Sequence, residues 1–245
     1  MRSIIIIEGK GMIMTTNQHP FPVMENPGIA CFLAIIAGMM NGFTYDQAGV
    51  FGTVQSGNVI MIGHSLATGN WAHLKIAALT VLAFGLGSMT TVFIQYLDSV
   101  RKKLNWTFAI LLLEAAILCL LATGILTPYL SLIGICIIIS FIAGMQGNGF
   151  HKMKGMLYGN IAVTMVAQLA FNHLMRFLCG TKGAFKTALL FFAVLISFAL
   201  GGFCGTLLTH HLHEHSLFVP AALLVLLALY LYFSPHKKGI AIDPT

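Results

Sequence analysis

The chain is poor in charge. Asp, Glu, Lys and Arg make up only 8% of its 245 residues, and 7 residues in all are acidic. A soluble domain keeps roughly a quarter of its residues charged, so a free-standing soluble fold is excluded. Paired-cysteine spacing is missing too: Cys31, Cys119, Cys136, Cys179 and Cys204 lie scattered in or beside apolar stretches, without a CxxC. A disulfide framework is thereby excluded, and the thiols read as small apolar packing residues. The start of the chain has no signal-peptide core, because Glu8 and Lys10 interrupt IIIIEGKG after a few apolar residues. A loose tail is expected over 1–28.

What the chain has is apolar length. Hydrophobic residues make up 58% of it, and its mean hydropathy is +0.88. Crossing a hydrocarbon core of about 30 Å takes roughly 20 helical residues at about 1.5 Å each. Six runs qualify, at about 29–45, 75–97, 106–126, 129–150, 187–209 and 217–233. They leave no room for a soluble domain, and the lipid bilayer is the first partner they imply.

Two further segments, 50–69 and 155–178, have helical length but are polar and interrupted by glycine. Charge placement tests whether they cross. With eight crossings the 13 Lys and Arg residues split 8 to 5 between the two faces; with six, they split 12 to 1, Lys75 alone lying opposite. The positive-inside rule selects six and makes both termini cytoplasmic. The net charge of +6 then follows from topology and attraction to anionic lipid, and requires no nucleic acid.

The chain also repeats itself. FLAIIAGMMNGF (32–43) echoes IISFIAGMQGNGF (138–150), and LAFGLGS (82–88) echoes ISFALGG (196–202). Residue by residue, Ala37-Gly38-Met39 pairs with Ala143-Gly144-Met145, and Asn41-Gly42-Phe43 with Asn148-Gly149-Phe150. Each half contains three crossings, an odd number, so the second half is expected upside down relative to the first. The expected fold is an all-α integral membrane protein with six transmembrane helices plus two polar re-entrant or broken helices, arranged as two inverted repeats. Its expected divisions are a first repeat over 29–126, a second over 127–234 and a cytoplasmic tail over 235–245. Inverted repeats with broken helices are a recurrent transporter plan, with the site near the midplane.

The stretch AGMMNGFTYDQAGVFGTVQSGNVIMIGHSLATGNW resembles the amino-terminal signature of the YoaK family of bacterial multi-pass membrane proteins. That signature runs Gly-x-x-Asp-Ala-x-Thr-Tyr, then Gly-Val-Phe-x-x-x-Gln-Thr-Gly-Asn. FHKMKGMLYGNIAVT is similar to the family's Phe-x-Lys-x-x-Gly-x-x-Tyr segment, matched by Phe150, Lys152, Gly155 and Tyr158. The likeness spans roughly residues 29 to 210. It implies a six-span bacterial inner-membrane protein and supplies no substrate. Asn41 stands where the family has Asp, Ser56 where it has Thr, and the second half keeps only Thr164 of the Thr-Gly-Asn motif. A match of Gly159-Asn160 to Gly57-Asn58 fails on spacing.

Gly57, between Ser56 and Asn58, is where the first polar segment is expected to break, with Ser56 or Asn58 capping a half-helix over 59–68. Backbone freed inside a bilayer survives only where protein buries it or a wet cavity serves it. Open N–H groups at such a break favour a small polar or anionic solute. Asn41, Gln55, Ser56, Gly57 and Asn58, with Asn148 and Thr164 across the pseudo-twofold, are the expected binding residues. The bland alternative is that Gly57 allows tight packing while Ser56 and Asn58 bond neighbouring helices.

Glu114 lies nine positions into its run, about 12 Å deep, where an unpaired carboxylate is costly; it is a candidate ion-coupling residue. His64, on the polar segment, is a second candidate. Asp46 reads as a turn cap. THHLHEH (209–215) places His211 and His215 at i and i+4 beside His210, His213 and Glu214. Without a second ligand cluster it reads as a solvated helix end, and no metal or cofactor is expected. A solute transporter or permease is the leading function class, with a homo-oligomer compatible. The alternatives are an intramembrane enzyme using Ser56, for which His64 is a poor base, and an assembly factor of a membrane complex; no enzymatic activity is expected.

Overall fold

The computed structural model describes residues 21–101, 105–233 and 242. The rest of both expected tails lies outside the described residues. Among the described residues the regular structure is helical except for one short hairpin. In order it forms α1 (Pro27–Ala48), α2 (Gln55–Thr68), α3 (Trp71–Arg101), α4 (Trp106–Ala122), α5 (Leu132–Gly149), β1 (Lys152–Met153), β2 (Met156–Leu157), α6 (Thr164–Leu178), α7 (Ala184–Leu212) and α8 (Phe218–Phe233).

Local chemistry sets the helix ends. The side chains of Asn26, Asn105 and Ser131 accept from Gly28 N, Phe108 N and Gly134 N at the starts of α1, α4 and α5. Gly49 and Gly69, at positive φ, close α1 and α2. Among the described residues four helical stretches are long and apolar enough to cross a membrane: Pro27–Ala48, Trp71–Val100, Leu132–Gly149 and Ala184–Phe233. The last is one run that turns at His213, φ 49°, between α7 and α8. Trp106–Ala122 is apolar but shorter.

The outside is as apolar as the inside. Leu82, Leu86, Met89 and Phe93 lie exposed at steps of three and four along α3, a face that suits lipid and not water. The main core joins α1, α4, α5 and α8 through Leu33, Ile36, Ile110, Leu118, Ile142 and Leu224. A second cluster packs Ala30 and Ala34 of α1 against Tyr158, Val166, Phe191 and Val194.

Two helix crossings organise the molecule, α1 on α7 and α3 on α5, with α2 on α3, α6 on α7 and α4 on α8. A methyl group on Gly38 would collide with the Phe198 carbonyl of α7, and one on Gly201 with the Ile35 carbonyl of α1. In the other crossing Gly144 stands in the same way against the Phe84 carbonyl, and Gly87 against that of Phe141. These residues occupy corresponding places in the two sequence echoes. The correspondence continues: Gly205 abuts Met39 O where Thr91 Oγ1 donates to Met145 O at 3.0 Å. Gly42 abuts Gly202 O where Asn148 Nδ2 donates to Ser88 O at 3.2 Å.

That register corrects the expected pairing of Asn41 with Asn148. The second half carries one extra residue between its AGM and NGF. Because α5 stays an unbroken helix, the contacts match Asn148 to Gly42.

The break in the first polar segment also moves. Gly57 is the third residue of α2; the non-helical stretch is 49–54, and the cap position is Val54, which makes no side-chain cap bond. The reason is aromatic packing. Phe51 stacks on Tyr45, centroids 5.2 Å apart, and its ring fills the space where a Gly57 side chain would stand. The second polar segment begins with an unexpected hairpin, Met153 opposite Met156, turned by Lys154 and Gly155 at φ 49° and 72°, as two-residue hairpins require. Its helix starts only at Thr164. The expected loose tail is held from Val23 onward, since Glu25 accepts from Gly155 N through Oε2 at 2.6 Å and from Lys154 N through its carbonyl at 3.0 Å.

Candidate functional site

The residues around the first break form a closed polar network. Gly52 N donates to Thr44 Oγ1 at 2.9 Å, and Thr53 donates from both N and Oγ1 to Asn41 Oδ1 at 3.2 Å. Ser140 Oγ, from the middle of α5, donates to Gly52 O at 2.6 Å. Gln55 Nε2 donates to Gly52 O and reaches Ser140 Oγ, at 3.0 and 3.3 Å. Asn58 Nδ2 donates to Phe51 O and Gln55 Oε1, at 2.8 and 2.9 Å. The break therefore lies against the middle of α5, well inside the helix layer, and its freed backbone groups are served by side chains.

Asn41, Gln55 and Asn58 are thus brought together as the sequence suggests, and Gly57 joins them through Phe51. The other candidates stand apart. Ser56 is exposed on the outer side of α2, Asn148 is engaged with Ser88 of α3, and Thr164 is exposed at the start of α6. His64 is also exposed on α2, its carbonyl accepting from Thr68. The reason is register: with α2 starting at Gln55, Asn58 turns inward and Ser56 outward.

Sequence reasoning missed Thr44, Thr53, Ser140, Gln146 and Asn160. Ser140 and Gln146 carried a signal, being, with Asn148, the polar residues of an apolar α5. Gln146 is fully buried and donates to Leu33 O of α1 at 3.1 Å. Asn160, set aside on spacing, does at the second break what Asn58 does at the first. Its Nδ2 donates to Phe150 O at 3.0 Å, and its Oδ1, like that of Asn58, is buried without a hydrogen-bond partner in the protein. Beside it Tyr158 is buried, which pushes its phenol above the ordinary value. Ile161 packs against Gly147 of α5, so this break too lies against a crossing helix.

Glu114 is fully buried in α4, and neither carboxyl oxygen has a hydrogen-bond partner. At the far end of the molecule, His210 Nε2 lies 3.3 Å from Asp46 Oδ1, and His215 Nδ1 lies 2.7 Å from Ala122 O. Two cavities lie away from the polar network. A groove of about 380 Å³ between α1 and α8 is lined by Ile29, Phe32, Leu227 and Tyr230, and another lies beside Trp71 and Lys75. Neither is lined by Gln55, Ser56, Asn58, Asn148 or Thr164.

The quoted signatures now have physical roles. In the first, Gly49 ends α1, Phe51 packs on Tyr45, and Gln55 and Asn58 tie down the break. In the second, Phe150 stacks on Trp106 at 5.9 Å, Gly155 makes the hairpin turn and Tyr158 is buried. No curated protein and no solved structure matches the chain. A family described as "Protein of unknown function (DUF1275)" matches residues 29–230. YoaK is one of its members, and the chain belongs to this family.

Proposed function

We propose that the protein is a transporter of a small polar or anionic solute in the bacterial inner membrane, with a polar site near the midplane between two inverted repeats. The repeats are 29–126 and 127–234. Each crosses three times, as α1, α3 and α4 and then as α5, α7 and α8. α2 and α6 are re-entrant half-helices entering from opposite faces, and the 12-to-1 charge split makes both termini cytoplasmic.

The observation that carries this reading is the matched pair of crossings, α1 on α7 and α3 on α5, with glycines against carbonyl oxygens at corresponding positions. Such a pair is what a twofold relation between halves produces, and it offers two surfaces on which one half can rock against the other. Both breaks lie against crossing helices, and the caps of α2 and α6, Val54 and Val163, make no side-chain bond. Open N–H groups at the helix starts favour acceptors, and the buried oxygens of Asn58 and Asn160 favour donors. A solute with both kinds of group suits the pair.

The test is a thermal-shift screen of the purified protein against amino acids, nucleosides, sugars and small anions, followed by uptake into proteoliposomes. A true solute raises Tm with concentration and accumulates, and Asn58→Ala keeps normal folded yield while losing uptake. Loss of folded yield in Asn58→Ala without any solute response would return that amide to a packing role. A partner co-purifying at fixed stoichiometry, again with no solute response, would favour the assembly-factor class.

A further inference from the structure

We propose that Glu114 is a proton-binding site, loaded while the core is closed and emptied when it opens to water. The inference deepens the transport reading, on which it rests, by naming the coupling ion and its carrier.

Glu114 sits in the core where α1, α4, α5 and α8 meet, between Ile110, Leu111, Ala115 and Leu118 of its own helix, all buried. It is fully buried, and both carboxyl oxygens lack a partner. Among the described residues no charged group bonds to it. The titratable groups on the elements packed against α4 are Cys136 of α5, Tyr230 and Tyr232 of α8, His73, Lys75, Tyr96, Asp98 and Arg101 of α3, and His213, Glu214 and His215 after α7. None bonds to either Glu114 oxygen. A carboxylate with no cation and no donor is the costliest state a membrane interior can hold, so the closed form suits the neutral acid.

A neutral acid has one O–H to donate, and an acceptor lies near. Trp106 stacks on Phe150, and Ile110 faces Gly149, so α4 and α5 run side by side in opposite directions. Gln146 stands one turn from that stack and Glu114 two. They therefore differ in height by about one turn, ~5.4 Å, a gap two long side chains can bridge. Gln146 Oε1 is itself buried and without a partner. The O–H of the neutral acid is the donor that Gln146 Oε1 lacks, and rotation of the two side chains would join them. On opening, the O–H bond breaks, its electrons stay on the carboxylate, and a water molecule carries the proton away as hydronium.

Difference infrared spectroscopy on the full chain in nanodiscs, with 13C-labelled glutamate, reads this directly. The expected result is a protonated-carboxyl C=O band that is lost as pH rises, absent in Glu114→Gln, and shifted in Gln146→Leu because its hydrogen bond is gone. Glu114→Gln should fold with unchanged yield, being the shape of the neutral acid. A proton-conducting solute assay then separates the two readings: titration without any solute movement sinks the transporter and leaves the proton site. Solute movement with a Glu114 band unchanged across the pH range overturns the proton site alone. Loss of the band on adding Na+ at constant pH, with choline inert, also overturns it, because the site would then bind a metal cation.

Discussion

The two crossings are alike in geometry and different in chemistry. Where α1 meets α7, the contact residues are Gly38, Gly42, Gly201, Gly202 and Gly205, and backbone rests on backbone. Where α3 meets α5, Gly87 and Gly144 keep the same close approach, but Ser88, Thr91 and Asn148 take the remaining places. They add three bonds across the interface: Ser88 Oγ to Gly144 O at 3.2 Å, Thr91 to Met145 O and Asn148 to Ser88 O. Along its glycines the first interface is held by packing, with one polar contact at its end, His210 Nε2 against Asp46 Oδ1 at 3.3 Å. The other is pinned in register, because sliding it breaks hydrogen bonds. If one half moves against the other, displacement concentrates in the glycine crossing.

The largest effect should come from filling either crossing. Gly201→Ala and Gly87→Ala each drive a methyl into a carbonyl oxygen and should cost about 1–3 kcal/mol, seen as a lower Tm and lower folded yield on size-exclusion chromatography. A much smaller loss for Gly201→Ala would mean that the α1–α7 contact is looser than it looks. Thr91→Ala should cost about 0.6 kcal/mol, at most about 1.7, and thermal denaturation checks it. A larger loss would give the bonds more weight than the packing.

The finest test transfers the chemistry from one crossing to the other. A Cβ on Gly202 meets only Gly38 O, at 3.9 Å, so Gly202→Ser has room to reproduce the Ser88 bond and should raise stability by a few tenths of a kcal/mol, up to about 0.6. Destabilisation there would show that the two interfaces are not equivalent. Gly85→Ala, with nothing within 4 Å, removes only the entropic cost of a mid-helix glycine, should raise stability by about 0.5–1 kcal/mol, and serves as the control of opposite sign to Gly87→Ala in the same melting series.

Much of this was legible in advance. Six apolar runs fall within α1, α3, α4, α5, α7 and α8 or overrun them by a few residues, because a helix that is apolar all round needs no periodicity to declare itself. The AGM echo named Gly38 and Gly144 as partners in the pattern. The start of α2 was hidden, because the stacking of Phe51 on Tyr45 fixes it and not the nearest glycine. Asn160 was hidden because its role depends on where the chain returns in space, while the interval in sequence differs from that before Asn58. Identity of NGF with NGF misled for a related reason: an unbroken helix keeps the register set by its first contact, whatever the letters further along.

The α1–α7 crossing has a consequence for how the protein is made. α1 is complete by residue 48 and its main partner begins at residue 184, so well over a hundred residues must leave the ribosome before the two can meet. Contacts so distant along the chain form late. Until then the glycine groove of α1 lies open to lipid, and a chaperone or insertase that shields it would govern the yield of the finished protein.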